Sequence, residues 1–115
     1  MNFPSELDFL EAFGLDPVET DTSIGMCRYI QNSKTSGIEI DISFSAVMKS
    51  FQVALRLFKH EIATISSENV SSIEIVNDAQ GEGIHIIFDI CDSISEARVT
   101  LYPEITCRWW TLRNN

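Results

Sequence analysis

Along most of the chain, hydrophobic and polar side chains alternate with a period of two residues, which is the pattern of half-buried β-strands. The alternation is cleanest over residues 38–45, where Glu39 and Asp41 lie on the polar side. The apolar side of that segment carries Ile38, Ile40, Ile42 and Phe44. Similar segments occur at 24–30, 51–58, 61–66, 72–76, 84–90, 96–102 and 105–112. The pattern therefore predicts about eight short strands.

One segment near the N-terminus has a helical period instead. Its apolar face contains Phe9, Leu10 and Phe13. Ser5 can cap the first turn, because Asp8 stands at the position of a capping box, and Gly14 suits the left-handed residue that ends a helix. The polar and acidic residues 16–23 are predicted to form a loop, and the glycine-containing residues 77–83 another.

These elements predict one domain over residues 1–115, with an acidic helix and loop at 1–21 and an antiparallel β region at 22–115. The class is mainly β, at the border with α+β. Short strands joined by short loops favour an antiparallel meander that forms a sandwich or a partial barrel. Residues 46–58 are ambiguous, since a helix there would give an α+β fold with that helix packed on the sheet.

The charge balance narrows the function classes. The 115 residues carry 17 acidic and 8 basic side chains, a formal charge of −9, and 44% of them are hydrophobic, enough for a buried core. Phosphate-backbone binding needs a basic surface, so no nucleic-acid partner is expected. Six acids precede the first base: Glu6, Asp8, Glu11, Asp16, Glu19 and Asp21. Such charge serves solubility, or it meets a basic partner through electrostatic steering.

Little in the sequence indicates catalysis. Cys27, Cys91 and Cys107 are an odd number at wide spacing, which favours reduced, partly buried thiols over disulfides or a metal site. No catalytic residue, metal or cofactor is predicted. The paired carboxylates Glu39 and Asp41 are expected on a solvated face, and so are Asp89 and Asp92. His85 lies in the middle of a strand, where a general base or a satisfied surface histidine could stand.

The C-terminal segment contains adjacent tryptophans. In a strand, Trp109 and Trp110 must point to opposite faces, so one of them belongs to the core. The other lies under the N-terminal helix or is exposed as a binding anchor, and we assign that anchor to Trp110.

The N-terminal residues lack the basic and apolar regions of a secretion signal, and no apolar run approaches the roughly 20 residues of a membrane span. We therefore expect a cytoplasmic protein with no membrane partner.

Taken together, the size, the charge, the acidic N-terminal third, the Glu39-Ile-Asp41 strand and the ending Cys107-Arg-Trp-Trp-Thr-Leu112 resemble the bacterial immunity proteins. These are encoded beside polymorphic toxins, including those of contact-dependent growth inhibition. The resemblance implies a non-enzymatic chain that binds the C-terminal domain of a cognate toxin, often a nuclease, and occludes it. The residues expected to bind that partner are Asp16, Glu19, Asp21, Glu39, Asp41 and Trp110.

Two other functions remain open at this point. A small ligand-binding β-barrel, or an enzyme that uses its interior, would place His85 and Asp89 beside a pocket. A homo-oligomeric structural module, such as a homodimer, would pair through an edge strand or through the tryptophan face.

Overall fold

A computed structural model describes residues 2–90 and 93–113, and the side chains up to residue 111. Within them lie one helix and nine strands. The helix α1 spans Glu6–Phe13. The strands are β1 Glu19–Asp21, β2 Met26–Asn32, β3 Ile38–Ser45, β4 Ser50–Leu57, β5 His60–Ser67, β6 Val70–Asp78, β7 Gly81–Ile90, β8 Ser93–Tyr102 and β9 Thr106–Arg113. In this described part of the chain, no helix is long and apolar enough to cross a bilayer.

Each strand pairs antiparallel with its neighbour in the chain, except where β5 passes to β6. The first sheet has the order β1-β2-β3-β4-β5, and the second has the order β6-β7-β8-β9. The inner faces of both sheets contribute to one hydrophobic core, in which the ring of Phe88 lies 6.3 Å from Phe51 and 4.6 Å from Trp109. The predicted meander is thus confirmed, and its form is an open sandwich, not a closed barrel.

The N-terminal helix has the predicted ends. Ser5 and Asp8 form the capping box, and Gly14 adopts φ 68° while its N–H donates to the carbonyl of Leu10 at 2.8 Å. Phe9 is fully buried and stacks on Tyr29 with the ring centroids 4.1 Å apart. The prediction for Leu10 is wrong, because it is exposed. Phe9 and Phe13, four residues apart, are the buried residues of the helix, and Leu10 is turned away from the line that joins them.

The predicted loop at 16–23 contains a strand. β1 forms a hairpin with β2 in which Glu19 lies opposite Arg28, so the β region begins at residue 19 and not at 22. All three β1 side chains are exposed. A short, wholly polar strand has no alternation of hydrophobic and polar residues, and its pairing partner alone makes it a strand.

Two further predictions have opposite outcomes. The strand within 46–58 is confirmed, since residues 46–49 form a turn and β4 follows with Phe51 and Val53 buried. The prediction of a loop at 77–83 is wrong, because β6 and β7 continue to a turn at residues 79–80. A Cβ on Gly83 would lie 1.9 Å from the carbonyl oxygen of Val99, so close packing of strands requires this glycine.

Two of the three cysteines lie in the described residues. Cys27 and Cys107 are half-buried, as predicted, and are free thiols within the described residues. Burial raises the pKa of both thiols, which keeps them protonated at neutral pH. Cys91 lies outside the described residues.

Candidate protein-binding surface

The first sheet turns one face toward the core and the other toward solvent, and we call the second the acidic face. Cross-strand register places Glu19 opposite Arg28, Glu39 opposite Arg56, and Arg56 opposite Glu61. The charged side chains of the acidic face are Glu19, Asp21, Arg28, Glu39, Asp41, Arg56 and Glu61. Five carboxylates against two guanidinium groups leave a formal charge of −3. Four acids selected from the sequence therefore lie on one surface.

An ion cluster occupies the centre of this face. The Arg28 side chain donates to both carboxylate oxygens of Asp41, from Nε at 2.8 Å and from Nη2 at 2.6 Å. Arg56 donates to Asp41 at 2.7 Å and to Glu39 at 2.5 Å. Arg28 also reaches Glu19 at 3.2 Å. Charge-assisted hydrogen bonds thus connect β2, β3 and β4 with the edge strand β1.

Asp41 is the buried member of the cluster, with 8% of its side chain exposed. The expectation of a solvated carboxylate at this position is wrong. The hydrogen bonds from Arg28 lower the pKa of Asp41, and the one from Arg56 adds to the effect. The alternation of residues in β3 placed Asp41 on the correct side of the sheet, but two arginines from neighbouring strands cover it.

We expect Asp41→Asn to cost about 2 kcal/mol of unfolding free energy at neutral pH. Removing the charge leaves two guanidinium groups without their shared partner, and their exposed fractions of 35% and 24% reduce the penalty. Because the folded state lowers the pKa of Asp41, its contribution is complete above the unfolded value of about 3.9 and is lost as the pH falls through the folded value.

Urea unfolding of wild type and variant at a series of pH values measures this effect. The difference between the two proteins should shrink in acid. Glu61→Gln is the control, since Glu61 lies on the same face and forms no ion pair with the described residues. A difference that stays constant with pH would contradict the assigned role of the Asp41 charge.

The other predicted acids have fewer internal partners. The carboxylate of Asp21 accepts from the backbone N–H of Ser23 at 3.0 Å and from its hydroxyl at 2.6 Å. Asp16 is exposed in the connection between α1 and β1. No arginine or lysine among the described residues pairs with Asp16, Asp21 or Glu61. These three carboxylates therefore carry the unneutralised charge around the acidic face.

A shallow groove of about 630 Å³ lies at one end of the sandwich, and its lining includes Phe44 from the core side of the first sheet and Ile90 from the second sheet. Ser43, Gln52 and Ser66 contribute to its lining, and they follow one another across β3, β4 and β5. Hydroxyl and amide groups in such a row can accept or donate hydrogen bonds to a polar partner. The sequence analysis did not identify this groove, because its lining residues come from separate segments that meet only when the strands pair.

Trp110 lies on the other side of the sandwich. Its Nε1 donates to Glu96 at 3.1 Å, its ring stacks on His85 with the centroids 6.2 Å apart, and Arg108 lies over the ring. Trp109 points into the core, so the opposite orientations of the tryptophans are confirmed. These groups, and not the N-terminal helix, contact Trp110. The structure does not bring Trp110 together with the acidic face.

The surroundings of His85 bear on the ligand-binding alternative. Its Nε2 lies 2.9 Å from Glu96, beside a depression of about 220 Å³ that is also lined by Trp110 and Arg98. That volume is below the roughly 300–1,000 Å³ typical of small-molecule sites. Asp89 does not line this depression. Asp92, which the sequence analysis grouped with Asp89, lies outside the described residues. The geometry does not favour a ligand site here.

Comparison with solved structures finds the same fold in a known assembly. The matching chain comes from a structure described as a contact-dependent growth inhibition toxin–immunity protein complex from Klebsiella pneumoniae 342. The TM-score is 0.88 with 29% sequence identity, and the match covers 96% of both chains. The resemblance to immunity proteins of contact-dependent growth inhibition is confirmed. No protein-family model matches the chain, and no curated protein sequence does.

An immunity protein acts through its surface, so the placement of its charges matters most. The sequence identified the acids of β1 and β3 but missed the arginines that organise them, Arg28 and Arg56. Arg56 stands on the side of β4 that carries Gln52, and this was the available indication for it. Arg28 shares its side of β2 with Met26 and Ile30, so the alternation gave no indication of its role. The comparison supports an immunity-protein function with a toxin as partner.

Proposed function

We propose that this chain is a cytoplasmic bacterial immunity protein that binds the C-terminal domain of its cognate toxin and neutralises it by occlusion. The observation that carries the proposal is the match over 96% of both chains to a component of a toxin–immunity complex. An identity of 29% over that length supports a shared function as well as a shared fold. The chain itself performs no chemistry, since covering the toxin is sufficient.

The charge of the chain supports a nuclease as the toxin. A nuclease binds the phosphate backbone through lysine and arginine side chains, so the groove that holds its substrate is basic. The acidic face carries a formal charge of −3 within a protein of net charge −9. Such a surface is attracted to a basic groove from a distance and can cover it after contact. We therefore propose occlusion of the substrate groove.

The arrangement of the carboxylates favours binding without rearrangement. Asp41 and Glu39 are held by Arg56, and Arg28 holds Asp41 from the other side. Because Arg28 also reaches Glu19, the cluster ties β1, the strand that carries Asp21, to its neighbours, so β1 loses little conformational freedom when a partner binds. Asp21, itself hydrogen-bonded to Ser23, then presents its charge from a defined position.

A growth experiment tests the proposal. The toxin domain encoded beside this chain is expressed in a heterologous bacterium, alone and with this chain. We expect growth arrest with the toxin alone, relief when this chain is present, and a stable one-to-one complex on purification. Toxicity that persists despite soluble expression of this chain would overturn the immunity function. Added RNA or DNA should be cleaved by the free toxin and spared in the complex, and cleavage of neither would overturn the nuclease assignment.

A further inference from the structure

The hairpin between β4 and β5 exposes apolar side chains that the core does not use. Phe58, in the turn, is 74% exposed, and Ile62 is 58% exposed. Leu57 precedes the turn and is also exposed. We call these three residues the hairpin tip. These large apolar side chains are exposed within six consecutive residues of one hairpin, and such a concentration indicates a binding site more strongly than the same residues scattered singly.

The backbone of the turn is unusual for its sequence. Phe58 has φ 48° and Lys59 has φ 70°, both in the left-handed region. Two-residue hairpin turns of this kind favour Asn-Gly or Asp-Gly, because bulky residues are strained at positive φ. The chain therefore keeps a phenylalanine where a smaller residue would make a more stable turn. Strain of this type concentrates at sites of function.

The Phe58 ring packs against the neighbouring loop in a defined orientation. The Phe58 N–H donates to the carbonyl of Gly37 at 3.0 Å, and a Cβ on Gly37 would lie 2.3 Å from the ring. The ring thus packs directly on the backbone at Gly37, which holds its orientation while most of its surface stays open. An aromatic side chain fixed in this way loses little entropy on binding.

A bulge displays the second apolar side chain. In the pairing of β4 with β5, Leu55 lies opposite Ala63 and Arg56 lies opposite Glu61, so Ile62 is an extra residue between them. Bulges change the direction in which a side chain points. Two separate irregularities in one hairpin therefore expose two apolar side chains.

We propose that the hairpin tip is the apolar anchor that holds the toxin, with Phe58 inserted into an apolar pocket beside the basic groove. This inference rests on the proposed function and identifies the contact that slows dissociation of the complex. The tip is continuous with the acidic face, because Arg56 and Glu61 are immediate neighbours of its residues in the same hairpin. A basic protein lying on the acidic face would therefore also meet Phe58. Aromatic residues, phenylalanine among them, are enriched in protein interfaces, and side chains that fill well-packed pockets there carry much of the binding energy.

The anchor and the charges have separate kinetic roles. Long-range attraction by the acidic face governs the rate of association, and short-range burial of Phe58 governs the rate of dissociation. A change at the tip should therefore leave the salt dependence of association unchanged. This separation distinguishes an anchor from one more contributor to surface charge.

Phe58→Asn tests the proposal, because asparagine tolerates a positive φ and removes the ring. We expect the variant to be at least as stable as wild type in urea, while its complex with the toxin domain dissociates about 30-fold faster or more. Gly37→Ala, which displaces the ring by contact with its new Cβ, should also speed dissociation. Met48→Ala is the control, since Met48 is an exposed apolar residue at the opposite end of the first sheet.

The outcomes separate the two proposals. If wild type binds the toxin and Phe58→Asn dissociates at the same rate, the anchor is wrong and the immunity function stands. If wild type does not bind the toxin, both fail. If wild type is a dimer that Phe58→Asn converts to a monomer while toxin binding is unchanged, the tip serves self-association and the anchor is again wrong. Equal acceleration by Met48→Ala would also overturn it.

Discussion

Replacing Asp16, Asp21 and Glu61 by lysine is expected to slow association with the toxin domain about 100-fold at low salt. These carboxylates have no arginine or lysine partner among the described residues, so no internal cation neutralises their charge. Three reversals of two charges each change the net charge from −9 to −3. The effect should fade as salt is added, because exposed charges are screened within about 10 Å at 0.1 M ionic strength.

A second triple variant separates the location of the charge from its amount. Glu74, Asp89 and Glu104 are exposed and lie outside the acidic face. Replacing these three acids by lysine gives the same net charge as the first triple variant. Stopped-flow mixing with the toxin domain at several salt concentrations measures both variants. We expect the control to associate much faster than the variant changed at Asp16, Asp21 and Glu61. Equal rates would show that net charge alone steers the encounter, and the acidic face would lose its assignment.

Phe9→Ala is expected to destabilise the protein by about 3–5 kcal/mol, a large part of the roughly 5–15 kcal/mol that small domains possess. Phe9 has no exposed surface, and its ring contacts Tyr29, Phe13 and Phe44 at centroid distances of 4.1, 5.2 and 5.7 Å. Deleting the ring leaves a cavity that these neighbours fill only in part. The helix would lose its main attachment to the first sheet.

Leu10→Ala is the matched control on the same helix. Leu10 is exposed, so its truncation should cost less than about 1 kcal/mol. Urea unfolding followed by tryptophan fluorescence measures both variants. Similar losses for the two would mean that helix propensity, and not burial of Phe9, explains the destabilisation.

The local elements were largely predictable because their causes are local. Alternation of hydrophobic and polar residues located the strands, including β3 with Ile40 and Ile42 buried. Ser5, Asp8 and Gly14 marked the ends of the helix, since caps are made by residues within a few positions of each other. The prediction of a loop at 77–83 failed because glycine occurs both in loops and where strands pack closely. Gly83 indicated a loop, yet it serves close strand packing.

The candidate site was predictable only in part. The sequence indicated an acidic N-terminal region and an acidic β3, but it could not indicate which acids are neutralised. Asp41 is bound by Arg28 and Arg56, which lie 13 and 15 residues away in the chain. Cross-strand register alone decides such partners. For the same reason the sequence did not separate Trp110 from the acids, although the two lie on opposite faces of the sandwich.

By itself, the sequence determined that this chain is a mainly β protein with a short capped helix, an apolar core and a strong negative charge, because periodicity and composition depend only on the order of residues. The tertiary structure decided where that charge is free. Pairing of β2, β3 and β4 buries Asp41 and leaves Asp16, Asp21 and Glu61 open. It also decided that Phe58, one apolar residue among many in the sequence, stands outside the core. Long-range packing determines which side chains remain for a partner, and no local pattern contains that information.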